Sequence, residues 1–127
     1  MQAATQLFRQ VHPNWVKDDG TAASIAFWPF PKDYGLLSVD DGDRVTPEAS
    51  WTRFVAKPNC ASGGVWSFTV QEASDHGLPA LDDPLPDNAE HVVVDFTAFP
   101  EKQQKAKAKL ISKPANARGC FFRPPQA

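Results

Sequence analysis

The sequence predicts a single α+β domain over residues 1–127, with a small mixed β-sheet of about five to six strands and two main helices packed on it. The 127 residues of the chain suit one domain with a core of its own. Apolar residues make up 42% and charged residues 22%, which is typical of a globular protein rather than a disordered one. The 12 prolines predict many short elements joined by irregular connections.

The N-terminal third is expected to supply three strands. Residues 5–11 alternate apolar and polar side chains and predict a strand. This strand is expected to end before Pro13, because the residue before a proline avoids the helical region of the backbone. Residues 21–28 alternate in the same way. Residues 36–39 form the returning strand, and the Asp-Gly sequence in 40–43 is typical of the turn that follows it.

The middle of the chain contains the clearest local signal, a helix start at Thr46. This threonine can cap a helix, and Pro47 suits the first helical position. The helix is expected to run to about residue 56. Residues 65–70 then predict a half-buried strand, and residues 71–76 a short helix that ends at a glycine.

The last third combines a loop, a strand and a long helix. Residues 78–90 hold three prolines and four acidic side chains and are predicted to be a surface loop. The β-branched run in 91–96 predicts a central strand. Residues 100–118 predict a Lys-rich helix, and 120–122 a final strand reached by a parallel crossover. Residues 124–127 are expected to be a disordered tail.

The expected core face of this last helix follows from helical spacing. Pro114 is expected to kink or end the helix. The side chains predicted to face the core are Phe99, Gln103, Ala106, Leu110 and Ala117.

The charge distribution argues against general nucleic-acid binding. The net charge is −2, which leaves no basic footprint over the whole chain. The charges are nevertheless segregated, with seven carboxylates and no Lys or Arg in residues 71–95, and seven basic residues and no carboxylate in residues 102–123. Such a dipolar surface is expected to steer association with a charged partner.

No catalytic, cofactor or metal motif is recognised in the sequence. The three histidines have no metal-ligand spacing, and no phosphate-binding or nucleophile-elbow motif occurs. Cys60 and Cys120 are expected to be reduced and structural. No export signal and no apolar run long enough to span a membrane is found, so the cytoplasm is the expected location.

The stretch FWPFPKD, residues 27–33, raises the main question about a binding surface. Phe27 continues an apolar face, whereas the next two aromatic residues point the other way and are either covered by a helix or left exposed. An acidic turn follows, which is either a solvated hairpin or a surface that meets a basic partner. The predicted partner-binding residues are Trp28, Phe30, Lys32, Tyr34, Asp40, Asp41 and Asp43.

Several short segments form a set that is spread over most of the chain. They are His12-Pro13, Ala26-Phe27 with Pro29, Lys32-Asp33, Leu37-Ser38-Val39, Asp41-Gly42-Asp43 and Arg118-Gly119 with Arg123-Pro124. Together they resemble a family of small uncharacterised bacterial proteins. The resemblance implies a bacterial cytosolic origin, with no established activity.

Three functional hypotheses follow. The first is a cytosolic protein-binding protein, most concretely an immunity protein or antitoxin that occludes a partner toxin. The second is an enzyme or small-ligand domain whose dispersed polar site includes His12, Ser38 and Asp40, which a concave pocket lined by these groups would support. The third is nucleic-acid binding through the basic helix, at Lys102, Lys105, Lys107, Lys109, Lys113 and Arg118. The oligomeric state is left open.

Overall fold

Five strands form one antiparallel sheet in the computed structural model of the chain, which describes residues 1–125. The spatial order is β3-β1-β2-β5-β4, and every neighbouring pair is antiparallel. The α+β fold class is confirmed, whereas the expected mixed sheet is antiparallel throughout. The strands are β1 (Gln6–Val11), β2 (Leu36–Asp41), β3 (Gly64–Thr69), β4 (Ala80–Asp82) and β5 (His91–Asp95).

Three helices accompany the sheet: α1 (Pro47–Val55), α2 (Val70–Ser74) and α3 (Glu101–Arg118). Helix α1 begins where the sequence predicts, because the Thr46 hydroxyl accepts a hydrogen bond from the Ala49 amide at 3.1 Å. Among the described residues, none of the helices has the length and hydrophobicity needed to cross a bilayer.

The main core lies between the sheet and α3. Along β1, Leu7 and Val11 point towards α3, and Gln10 points to the opposite face, where it bonds to Ser50 of α1. The buried residues of α3 in this cluster are Ala108, Ile111 and Ala115.

The face of α3 that enters the core differs from the predicted one. Gln103, Ala106 and Ala117 are exposed, because an alanine-rich helix offers small residues on more than one side and Ile111 decides which side packs. The helix also continues past Pro114 to Arg118.

Residues 21–28 do not form the expected strand. A single 3₁₀ turn occupies Ser24–Phe27, and distant side chains supply the hydrogen bonds that a neighbouring strand would otherwise make. Asn116 of α3 accepts from the Ala22 amide and donates to the Ala22 carbonyl, both at 2.9 Å. The segment is therefore fastened to α3 by Asn116 and to β1 by Arg9, which donates to the Ala26 carbonyl, and Ala22 forms an isolated antiparallel bridge with Val16.

The C-terminal segment also departs from its predicted form. Phe122 makes an antiparallel bridge with Val65 of β3 instead of a parallel strand. A parallel strand beside β5 has no place, because both edges of β5 are already paired, with β2 and β4. Strand β4 itself lies inside the predicted 78–90 loop. Of the predicted tail 124–127, residues 126–127 lie outside the described part of the chain.

Candidate functional site

A groove opens where β1 and β2 separate. The two strands pair only at Leu7↔Asp41 and Phe8↔Asp40, after which β1 follows β3 and β2 follows β5. We call the resulting concavity the split groove. It has a volume of about 660 Å³, and its lining includes Arg9, His12, Phe30, Lys32, Ser38 and Cys60.

A smaller cavity adjoins the split groove. Its volume is about 220 Å³, and it shares Arg9, Ser38 and Cys60 with the larger groove before extending to Asp40 and Asn88. The two concavities therefore form one continuous feature on the side of the sheet that carries α1.

The guanidinium of Arg9 forms the floor of the split groove. Arg9 is in register with the buried Leu7 and Val11 along β1, yet it reaches the groove because the sheet is open at this point. Its Nε donates to the Ala26 carbonyl at 2.7 Å, and its Nη1 donates to the Ser38 carbonyl at 3.0 Å. The guanidinium thus bridges the gap between the strands.

Burial lowers the pKa of Arg9 to about 10, and the nearby Asp33 carboxylate acts in the opposite direction. The side chain remains cationic at neutral pH. Within residues 1–125, no carboxylate forms an ion pair with Arg9, whereas Arg53 and Arg118 each have one at 2.9 Å. Arg9 is therefore a half-buried cation that no carboxylate of the described residues neutralises.

One wall of the split groove is aromatic. Trp15 and Phe30 stack with ring centroids 5.7 Å apart and planes 20° apart, and His12 lies against Trp15 at 5.6 Å. Trp28 continues the row, 6.3 Å from Phe30, and the Lys105 ammonium of α3 lies 4.7 Å from the centre of its ring.

The aromatic stretch of the sequence thus divides into three environments. Phe27 is fully buried, as predicted, and Trp28 and Phe30 are half-buried. Tyr34 is 84% exposed.

A rigid turn forms the rim beside this wall. Pro31–Asp33 is a 3₁₀ turn, and the Asp33 carboxylate accepts from the Phe30 amide at 3.1 Å. Lys32 points into solvent. Tyr34 follows with a left-handed backbone, at φ 53°.

A polar network underlies the smaller cavity and fastens α1 to the sheet. Asp40 accepts from the Ser50 hydroxyl at 2.6 Å and from the Asn88 amide at 2.8 Å. Arg53 lies 3.6 Å from the same carboxylate and pairs with Glu90 at 2.9 Å. Asp40 is therefore committed to internal contacts.

The predicted partner-binding residues fall into two groups at opposite ends of β2. Phe30 and Lys32 line the split groove, and Tyr34 directly follows the lining residue Asp33 at the end of the same turn. At the other end, Asp41 is only 4% exposed and accepts from the Asp43 amide, so it offers no surface to a partner.

The split groove also brings together residues from two separate hypotheses. His12 and Ser38, predicted as parts of a ligand site, share it with Phe30 and Lys32. Asp40 lies in the adjoining cavity.

Sequence reasoning missed Arg9, Trp15 and Cys60 as groove residues. One signal for Arg9 was present, a charge in register with the apolar positions of an alternating strand, which costs free energy unless it serves a purpose. No local signal marks Trp15 or Cys60, because the groove joins segments far apart in the chain. Cys60 and Cys120 are both free thiols.

Comparison with protein-family models, curated proteins and solved structures finds no match. In the described part of the chain, no three His, Cys, Asp or Glu side chains are placed to share a metal ion.

Proposed function

We propose that this chain is a protein-binding protein, and that its partner docks on the split groove and on the turn from Phe30 to Tyr34. Tyr34 carries the proposal. A left-handed backbone costs a non-glycine residue roughly 1–2 kcal/mol, and an 84% exposed ring recovers little of this within the folded chain. Backbone strain of this kind clusters at functional sites, and tyrosine is enriched among the residues that dominate binding interfaces.

The split groove supports the same proposal because it lies beside this exposed ring. A protruding aromatic residue next to a concave, partly aromatic surface provides an anchor and a receptor within one interface. The groove volume of about 660 Å³ can accept side chains of a partner. Phe30 gives the receiving surface an apolar wall, and Lys32 gives it a charge.

The most specific form of the proposal is an immunity protein or antitoxin whose partner is a toxin. The segregated charges between residues 71–95 and 102–123 support it, because they favour fast association with a charged partner. In this form, co-expression of the chain should protect cells from the partner, and the protection should depend on Tyr34.

The variant Tyr34→Asn tests the docking surface. Asparagine tolerates a left-handed backbone, so the change removes the ring without harming the turn. A protein that co-purifies from the native host should be identified and produced separately, and its affinity should be measured by calorimetry. We expect Tyr34→Asn to weaken binding by about tenfold or more, as for an interface hot spot.

Leu81→Asn provides the matched control. Leu81 is 47% exposed and lies on β4, outside the lining of the split groove. We expect this variant to bind like the wild type. Equal weakening by both variants, or by neither, contradicts the proposed docking surface.

A small-ligand site is the second candidate function. The shared location of His12, Ser38 and Cys60 in one concavity favours it. It ranks second because Asp40, the third predicted member, is held by Ser50 and Asn88. Saturable binding of a metabolite in the groove without any protein partner would favour this candidate instead.

A further inference from the structure

We propose that Arg9 is a carboxylate receptor, and that the partner places an Asp or Glu side chain on it with a large apolar residue adjacent. The inference rests on the proposed function and names the chemistry of the partner. Four observations carry it: the free donors of Arg9, the contrast with the ion-paired Arg53 and Arg118, the local charge balance and the aromatic wall.

Some N–H donors of the Arg9 guanidinium make no hydrogen bond within residues 1–125. A guanidinium carries five N–H donors, and the two carbonyl acceptors, from Ala26 and Ser38, engage only Nε and Nη1. Within residues 1–125, Nη2 makes no hydrogen bond, yet it is not among the buried polar atoms that lack a partner. Nη2 therefore reaches the space of the groove and can donate to a bound group.

The two carbonyl bonds fix the direction of these free donors. Holding the guanidinium before the ligand arrives reduces the conformational entropy lost on binding. Arg118 also donates to a carbonyl, that of Ser67, but its charge is matched by Glu72, and the charge of Arg53 is matched by Glu90. Within residues 1–125, Arg9 is thus a cation that is held in place and has no carboxylate paired with it.

The local charge balance favours a single negative charge. Arg9 and Lys32 are the Lys and Arg side chains that line the split groove, and Asp33 is the carboxylate, which leaves one net positive charge from these three groups. One carboxylate neutralises this net positive charge. A phosphate dianion exceeds it, and Asp33 repels a dianion more strongly than a carboxylate monoanion. The planar guanidinium also matches carboxylate geometry.

The aromatic wall determines what should accompany the carboxylate. The stacked rings of Trp15 and Phe30 form an apolar surface in the same groove as Arg9. A large apolar residue beside the acidic one can cover this surface and exclude water from the ion pair, which strengthens the pair. The structure therefore assigns an acidic residue with an aromatic or aliphatic neighbour as the segment bound.

The test compares two short probes by NMR titration of the full-length protein. The probes are acetyl-Glu-Phe-amide and its neutral match acetyl-Gln-Phe-amide, and the readout includes the Arg9 Nε–Hε resonance. We expect the glutamyl probe to bind at least about tenfold more tightly, as a hydrogen bond to a charged group implies. Arg9→Gln should abolish the preference, whereas Arg44→Gln, an equal charge change at an exposed site, should keep it.

If Arg9→Gln does not fold, the wild-type comparison still decides. Equal affinity for the two probes overturns the carboxylate inference while leaving Tyr34-dependent partner binding intact. Loss of the Tyr34 effect with the glutamyl preference retained overturns the proposed function instead. Sodium acetate and inorganic phosphate complete the test, because tighter binding of either than of the glutamyl probe shows that the groove is built for a small anion.

Discussion

At the scale of single residues, the segment from Trp28 to Tyr34 contains one aromatic side chain that stabilises the fold and one that is exposed and belongs to the proposed docking surface. Trp28 packs against the core cluster and is covered by Lys105, so its ring contributes to stability. Tyr34, six positions later in the sequence, is almost fully exposed. Mutating Trp28 and Tyr34 separately therefore distinguishes effects on stability from effects on binding within one short segment.

We expect Trp28→Ala to lower the free energy of unfolding by about 2–3 kcal/mol, somewhat less than for a fully buried tryptophan. The loss comes from apolar contacts with Phe30 and from the cation–π contact with Lys105. Urea denaturation followed by fluorescence of the remaining tryptophans measures it. Tyr34→Asn should stay within about 0.5 kcal/mol of the wild type. If the Trp28→Ala protein is as stable as the wild type, the Trp28 side chain does not contribute to stability, and its predicted role in partner binding is favoured instead.

The residue scale also shows how far the sequence can identify the candidate site. Four residues that line the split groove were named from the sequence, because aromatic, charged and potentially catalytic side chains can be recognised by residue type alone. They are Phe30, Lys32, His12 and Ser38. Their common location was not predicted. Arg9 was missed because its role depends on the two-pair contact between β1 and β2, and the point at which two strands separate has no local sequence pattern.

At the scale of elements, local signals predicted best. Helix α1 was placed correctly because Thr46 and Pro47 determine its start within a few residues. The strand expected at residues 21–28 was wrong because its hydrogen-bond partner is Asn116, 94 positions away in sequence. Alternation of apolar residues cannot reveal such a partner. Tertiary contacts also decided the orientation of α3, whose alanines leave its apolar face ambiguous.

The two hydrogen bonds between the Asn116 side chain and the Ala22 backbone predict how strongly α3 holds the segment of residues 21–28. We expect Asn116→Ala to destabilise the protein by about 2–3 kcal/mol, because it leaves the buried Ala22 amide and carbonyl without partners. Hydrogen exchange of the Ala22 amide should accelerate more than that of β1 amides. The control is Gln103→Ala, at an exposed position of the same helix. Unchanged exchange at Ala22 would show that packing alone holds the segment.

At the scale of the whole molecule, the order of elements was largely predictable and their pairing was not. Strand β5 was correctly expected to be central, because its run of valines needs burial on both faces. The parallel crossover was wrong, since strand β4 occupies the edge of β5 that it requires. A three-residue strand among prolines has too little sequence pattern to be recognised, yet it determines where the C-terminal segment can pair.

Two ion pairs join parts of the molecule that are distant in sequence, and they determine how its stability depends on pH. Arg53 of α1 holds Glu90, next to β5, and Arg118 at the end of α3 holds Glu72 in α2. The hydrogen bond from Arg53 lowers the pKa of Glu90. Burial acts to raise the pKa of Glu72, but the hydrogen bonds from Arg118 and Thr69 outweigh it, and this pKa is also lowered.

A glutamate whose pKa is lower in the folded state binds protons more readily when the chain is unfolded. The stability that it contributes is therefore complete above the unfolded pKa, about 4.3, and is lost as the pH falls through the folded value. We expect the free energy of unfolding to be nearly flat from about pH 8 to 5.5 and to decline below about pH 4.5. Urea denaturation across this range should show a shallower acid decline for the double variant Glu72→Gln, Glu90→Gln. Glu48→Gln, a change at an exposed glutamate, should keep the wild-type decline, and an unchanged slope in the double variant would mean that other carboxylates govern acid stability.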